Sequence, residues 1–105
     1  MINDNNYKEY FKGVQVVEIS GESCANCLTL MPILHEIVSK RNDVKLIHVE
    51  ASETTVEIMK EYQIDRVPTI LLLDEGVEFA RATGFQPEEI LELWINSKID
   101  AHLQK

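Results

Sequence analysis

The chain has 105 residues, 45% of them hydrophobic and 27% charged, enough to bury one core without disulfides or metal as staples. Eighteen Asp and Glu against ten Lys and Arg leave a formal net charge of −8, which repels phosphate backbones and excludes nucleic acid as a partner. The longest apolar stretches, such as 69–73, fall far short of the ~20 residues that span a bilayer, so no membrane partner is expected.

The opening Met1-Ile2-Asn3-Asp4-Asn5-Asn6 lacks the basic patch and apolar run of a secretory signal, and a reducing, cytoplasmic setting is expected. A cysteine pair there is chemical more often than structural. No linker, repeat or low-complexity tract interrupts the chain. One domain over residues 1–105 is expected, monomeric, with its acidity serving solubility.

In chain order, Asn5 or Asn6 is positioned to cap a short helix bearing Tyr7, Tyr10 and Phe11, with Gly13 as its stop. Residues 14–19, rich in β-branched side chains, read as a buried strand. From about Cys24 to Lys40, Leu28, Met31, Leu34 and Val38, with Leu30, Ile33 and Ile37 alongside, recur at helical spacing. Pro32 inside that helix removes a backbone donor and is expected to kink the axis. Residues 45–49 form a second strand, and Thr54 or Thr55 is the expected cap of a helix with Val56, Met59 and Tyr62 on one side.

Thr69 to Leu73 is a third strand, and Asp74-Glu75-Gly76 turns into residues 77–82 as an antiparallel hairpin. Pro87, at a first helical position with Glu88 and Glu89, opens a last helix carrying Ile90, Leu91, Trp94 and Ile95. Strands separated by helices imply right-handed crossovers and parallel pairing, with the hairpin as an antiparallel edge.

The chemistry-bearing feature is Cys24-Ala25-Asn26-Cys27, directly after a strand and opening a helix. The unpaired N–H groups and partial positive charge at a helix N-terminus favour thiolate over thiol, and sulfurs three residues apart on a helix can meet and bond. Three rival readings compete. A staple over so short a ring contributes only ~2 kcal/mol. A zinc site needs two more ligands, and His35, eight residues beyond Cys27, stands ~12 Å further along the axis. His48 in a strand reads as a packed or hydrogen-bonded residue, and His102 near the end as a solvated one. The third rival is a pair of small buried hydrophobes. The CxxC within a βαβ pattern favours redox chemistry over all three.

Glu18 to Cys27, Met31-Pro32-Ile33-Leu34, Val67-Pro68-Thr69 and Gly84, in that order and at those separations, resemble the thioredoxin family over most of the chain. The resemblance implies an α/β thioredoxin fold: a mixed sheet of about four strands, an antiparallel terminal hairpin and helices on both faces. It implies a thiol–disulfide oxidoreductase acting on protein disulfides through a Cys24–Cys27 couple, with no metal and no organic cofactor. Its electron donor would be a thioredoxin reductase or a low-molecular-weight thiol. Cys24 would be the exposed nucleophile and Cys27 the buried resolving residue. Pro68 would be cis and face the sulfurs, with the Val67 backbone pairing to an extended substrate beside Thr69; on the local sequence alone, a trans proline opening a strand fits equally.

Glu18 falls where the family keeps a buried acid that moves the resolving cysteine's proton. Burial among Val and Ile would disfavour its charged form and suit it to proton transfer, while the alternative has it facing solvent. Where the family has Trp before the first cysteine and Gly-Pro between the pair, this chain has Ser23 and Ala25-Asn26. The aromatic platform for substrate is missing, and a couple more oxidising than the ~−270 mV of thioredoxin is expected. Glu22 opposes a thiolate at Cys24, and Arg66 is a candidate to favour it. A thioredoxin-fold adaptor with idle or regulatory cysteines is the alternative reading.

Overall fold

The computed structural model describes residues 1–104. The elements, in chain order, are α1 (Tyr7–Tyr10), β1 (Val14–Ser20), α2 (Ala25–Ser39), β2 (Lys45–Glu50), α3 (Val56–Glu61), β3 (Thr69–Asp74), β4 (Val77–Thr83) and α4 (Glu88–Leu103). The four strands form one sheet in the order β2-β1-β3-β4. β1 and β2 run parallel, with Glu18 opposite His48 and Ser20 opposite Glu50.

β3 departs from the expected parallel pairing: it runs antiparallel to β1, with Ile19 opposite Thr69 and Val14 opposite Asp74. Helix length supplies the reason. The 15 residues of α2 rise about 22 Å, enough to carry the chain back along the sheet before β2 begins. α3 has six residues and rises only about 9 Å, less than half a strand of that length. The chain therefore re-enters the sheet at the end where it left, and β3 starts beside the end of β1.

The β3–β4 hairpin turns through Glu75 and Gly76, both at positive φ (51° and 80°), with Asp74 opposite Val77. That is the two-residue primed turn whose twist suits a hairpin, and glycine takes its second place without a Cβ penalty.

Each face of the sheet has its own core. Val16, Ile70 and Leu72 pack with Leu30, Leu34, Ile37 and Val38 of α2 and Leu91, Ile95 and Ile99 of α4. On the other face Val17, Ile19, Leu71 and Leu73 pack with Tyr7 and Phe11 and with Ile58 and Tyr62. Because β1 and β3 are covered on both sides, their sequences are apolar without alternation.

Several local expectations change. The buried stripe of α2 runs Cys27, Leu30, Leu34, Ile37 and Val38, whereas Leu28 faces solvent. On α3 the side turned inward carries Ile58, and Val56 is exposed. Thr55 occupies the N-cap of α3, but its hydroxyl donates to the Glu50 carbonyl (2.9 Å). The cap comes instead from Asp4, whose Oδ1 accepts the Ile58 amide at 3.0 Å, satisfying a donor left orphaned by helix geometry. Likewise Asn6 precedes α1 without capping it, its Oδ1 accepting the Asn3 amide (2.8 Å). Pro87 is the N-cap of α4 rather than its first helical residue.

Candidate active site

β1 ends at Ser20, and a short loop delivers the chain to α2 with Cys24 as its N-cap. The Cys24 Sγ accepts the Cys27 backbone N–H at 3.2 Å, so the first sulfur uses one of the free donors of the helix end. Cys24 and Cys27 are joined in a disulfide across a Cα–Cα distance of 5.3 Å, within the usual range. Cys24 is partly exposed, while Cys27 retains 3% of its surface. A partner can thus approach the first sulfur and not the second. Ser23 sits at φ 57° with its side chain in solvent, so nothing bulky stands before Cys24.

The second component is the loop into β3. The Val67–Pro68 bond is cis, Pro68 is buried and Val67 stays 37% exposed. Because Thr69 is opposite Ile19, this loop emerges at the same end of the sheet as the CxxC loop. The two loops touch at Gly21, where an added Cβ would lie 2.9 Å from Val67 Cγ2. The loop's own polar groups are mostly spoken for. Thr69 Oγ1 donates to the Arg66 carbonyl at 2.8 Å, and the Pro68 carbonyl accepts the Gly84 N–H at 2.9 Å. Among the described residues, the Val67 backbone has no hydrogen-bond partner.

Glu18 is fully buried in the middle of β1, on the α2 side of the sheet with Val16 two residues before it. Its alternative placement in solvent is ruled out. Burying a carboxylate without partners is costly, and it has two: the Ser20 hydroxyl donates to Oε2, and His48 Nδ1 lies 2.8 Å from Oε1. The His48 side chain remains 45% exposed, so this ring links the buried acid to solvent. Sequence reasoning marked His48 as a hydrogen-bonded strand residue without naming its partner. The signal that identifies the partner is strand register: in the parallel β1–β2 pair the two residues are opposite each other.

Arg66 pairs with Asp65 at 3.6 Å in an exposed ion pair. One further expectation is corrected. His102 is not solvated: its ring stacks on Phe79 (centroids 3.9 Å apart) and its Nε2 lies 2.7 Å from Asp74 Oδ2. Among the described residues, no group of three or more His, Cys, Asp and Glu is arranged to hold a metal ion, and no helix is long and apolar enough to cross a membrane.

Comparison with known proteins agrees with this geometry. The family model for Thioredoxin matches residues 1–97. The chain is similar to Thioredoxin H2 of Arabidopsis thaliana (30% identity over 82% of this chain and 63% of that one), so it spans a little under two thirds of that relative. It is similar also to the thioredoxins of Chlamydia pneumoniae (27% identity, 91% of this chain and 94% of that one) and Bacillus subtilis (26%, 87% and 88%). With a family match across nearly its whole length and a CxxC pair closed at the head of α2, the chain belongs to the thioredoxin family of thiol–disulfide oxidoreductases.

Proposed function

We propose that the chain reduces or exchanges disulfides in protein substrates, with Cys24 as nucleophile and Cys27 as resolving residue. The observation that carries this reading is the asymmetry of the pair: a partly exposed sulfur at the helix tip bonded to a buried one.

In the reduced protein, the Cys24 thiolate attacks one sulfur of a substrate disulfide. The substrate S–S bond breaks, its other sulfur leaves with the electron pair and takes a proton from water, and a mixed disulfide remains. Cys27 then gives its proton to Glu18 and attacks Cys24 Sγ. The mixed disulfide breaks, the second substrate sulfur leaves and is protonated, and two electrons have passed from the dithiol to the substrate. Val67 offers its unpaired N–H and C=O to an extended substrate segment beside the sulfur, as an added strand rung. Ser23, Pro68 and Thr69 shape that surface, and Arg66 contacts the substrate from the exposed side of the loop.

The couple needs no metal or organic cofactor, since the electrons reside in the sulfurs. A thioredoxin reductase or a low-molecular-weight thiol would return the disulfide to dithiol. The protein would act as a monomer in the cytoplasm, as one domain. Dithiothreitol-coupled reduction of insulin tests the reading: turnover by the native chain, lost in Cys24→Ser, is expected. Equal rates for both would overturn it in favour of an adaptor with idle cysteines.

A further inference from the structure

We propose that His48 is a positioning residue for the resolving step, carrying protons between the buried Glu18 carboxylate and water. The inference deepens the proposed function and rests on it. Glu18 is sealed from solvent on the α2 side of the sheet, and Ser20 donates to one of its oxygens. A hydroxyl held that way steadies the carboxylate without linking it to bulk water. The other oxygen meets His48 Nδ1 at 2.8 Å, and the His48 side chain is 45% exposed.

An imidazole has two nitrogens, so it can take a proton at one and release it at the other. When Glu18 has received the Cys27 proton, it passes it to Nδ1 and the ring sheds one from Nε2 to water. In the reverse direction Nε2 picks up a proton and Nδ1 delivers it to Oε1. The ring ends each cycle neutral with its tautomer exchanged, and rotation or a second transfer restores it. Glu18 is thereby returned to the carboxylate that Ser20 and His48 hold, ready for the next Cys27 proton, without itself reaching solvent.

The other groups facing this ring are few. β1 presents Glu18, opposite His48 in the register. Along β2, the same face carries Leu46 and Glu50, of which only Glu50 titrates. α2 turns Cys27, Leu30 and Leu34 inward, and Cys27 is the only titratable one, the very thiol whose proton is at issue.

A single-turnover reaction of the reduced protein with a chromophoric aryl disulfide separates the two chemical steps. One thiolate is released as Cys24 attacks, and a second as Cys27 resolves. In His48→Gln, whose amide can bond Glu18 but cannot relay a proton, the second release is expected to slow by up to about 10²-fold, at the lower end for proton transfer by a positioned group. Added imidazole, a mobile carrier of protons, should restore part of the lost rate. Glu18→Gln should slow the same step, and the double variant should be no slower than Glu18→Gln alone, as expected for two residues acting as one unit. A second release at the native rate in His48→Gln, or additive losses in the double variant, would overturn the inference while leaving the oxidoreductase reading intact. Absence of both releases in the native protein would overturn that reading, and this one with it.

Discussion

Gly21 and Val67 touch across the two loops of the site, with the place for a Gly21 side chain only 2.9 Å from Val67 Cγ2. Cβ contacts that short do not occur, and Val67 is β-branched, with little χ1 freedom to move aside. Gly21→Ala is expected to displace the Val67 loop, lowering the rate of insulin reduction several-fold. Alkylation of Cys24 should keep its native rate, because the sulfur's own surroundings on α2 are untouched. Insulin turnover and iodoacetamide kinetics on the same variant check the split; an equal loss in both would show that the loops do not act separately.

Burial of the second sulfur predicts what happens when it is removed. In Cys27→Ser the first attack still occurs but nothing resolves it, so a mixed disulfide with substrate should accumulate. Mass spectrometry of the variant after incubation with an oxidised substrate should find the adduct on Cys24, stable until a small thiol is added. Failure to trap it would place the nucleophile elsewhere.

Tyr7 supplies a pH-dependent contribution to stability. Its hydroxyl donates to Glu61 Oε1 at 2.7 Å, and that bond, with burial, pushes its ionisation up to about 12 from an ordinary 10. A value raised by folding means stability that is fully present below pH 10 and lost as pH climbs from 10 to 12. Tyr7→Phe is therefore expected to be less stable by about 1 kcal/mol near neutrality, with the gap to the native protein closing over that alkaline window. Urea midpoints measured from pH 8 upward for both proteins would check it.

Arg81 ties the far side of the site together. From β4 it pairs with Glu78 (2.6 Å) and donates to the carbonyls of Tyr62 and Gln63, just past α3 and before the Arg66–Pro68 loop. The Glu78 hydrogen bond raises the ionisation of its guanidinium further, so it stays charged. Arg81→Ala leaves those carbonyls without their side-chain donor and is expected to cost about 1–3 kcal/mol. It should also speed hydrogen exchange at the residues following α3, which exchange mass spectrometry would detect; unchanged exchange there would limit Arg81 to a role on β4.

Much of the site was legible in the sequence because its parts are local. A CxxC between a β-branched run and an apolar helix and a Glu-Gly turn each announce their conformation within a few residues, whereas Val67-Pro68-Thr69 alone fitted a trans proline equally and only its resemblance to a family loop pointed to the cis bond. What was not legible depends on how elements meet. The direction of β3 follows from the shortness of α3, whose boundaries the sequence blurs. Leu28 and Leu30 look alike in composition, and only the phase of α2 decides that the first is wet and the second buried. The histidine partner of Glu18 and the acid partner of His102 lie 30 and 28 residues away and are set by strand register and helix docking, which one chain's periodicity does not encode. The Asp4 cap on α3, 54 residues distant, was hidden for the same reason.

On the proposed function, with the Pro68 carbonyl committed to Gly84, the main chain of this loop left for a visiting polypeptide would be that of Val67 alone. So small a foothold neither discriminates strongly among sequences nor holds a product once the covalent link is gone. Dwell time on the protein would then be governed by the lifetime of a bond between sulfurs, as suits brief and varied encounters.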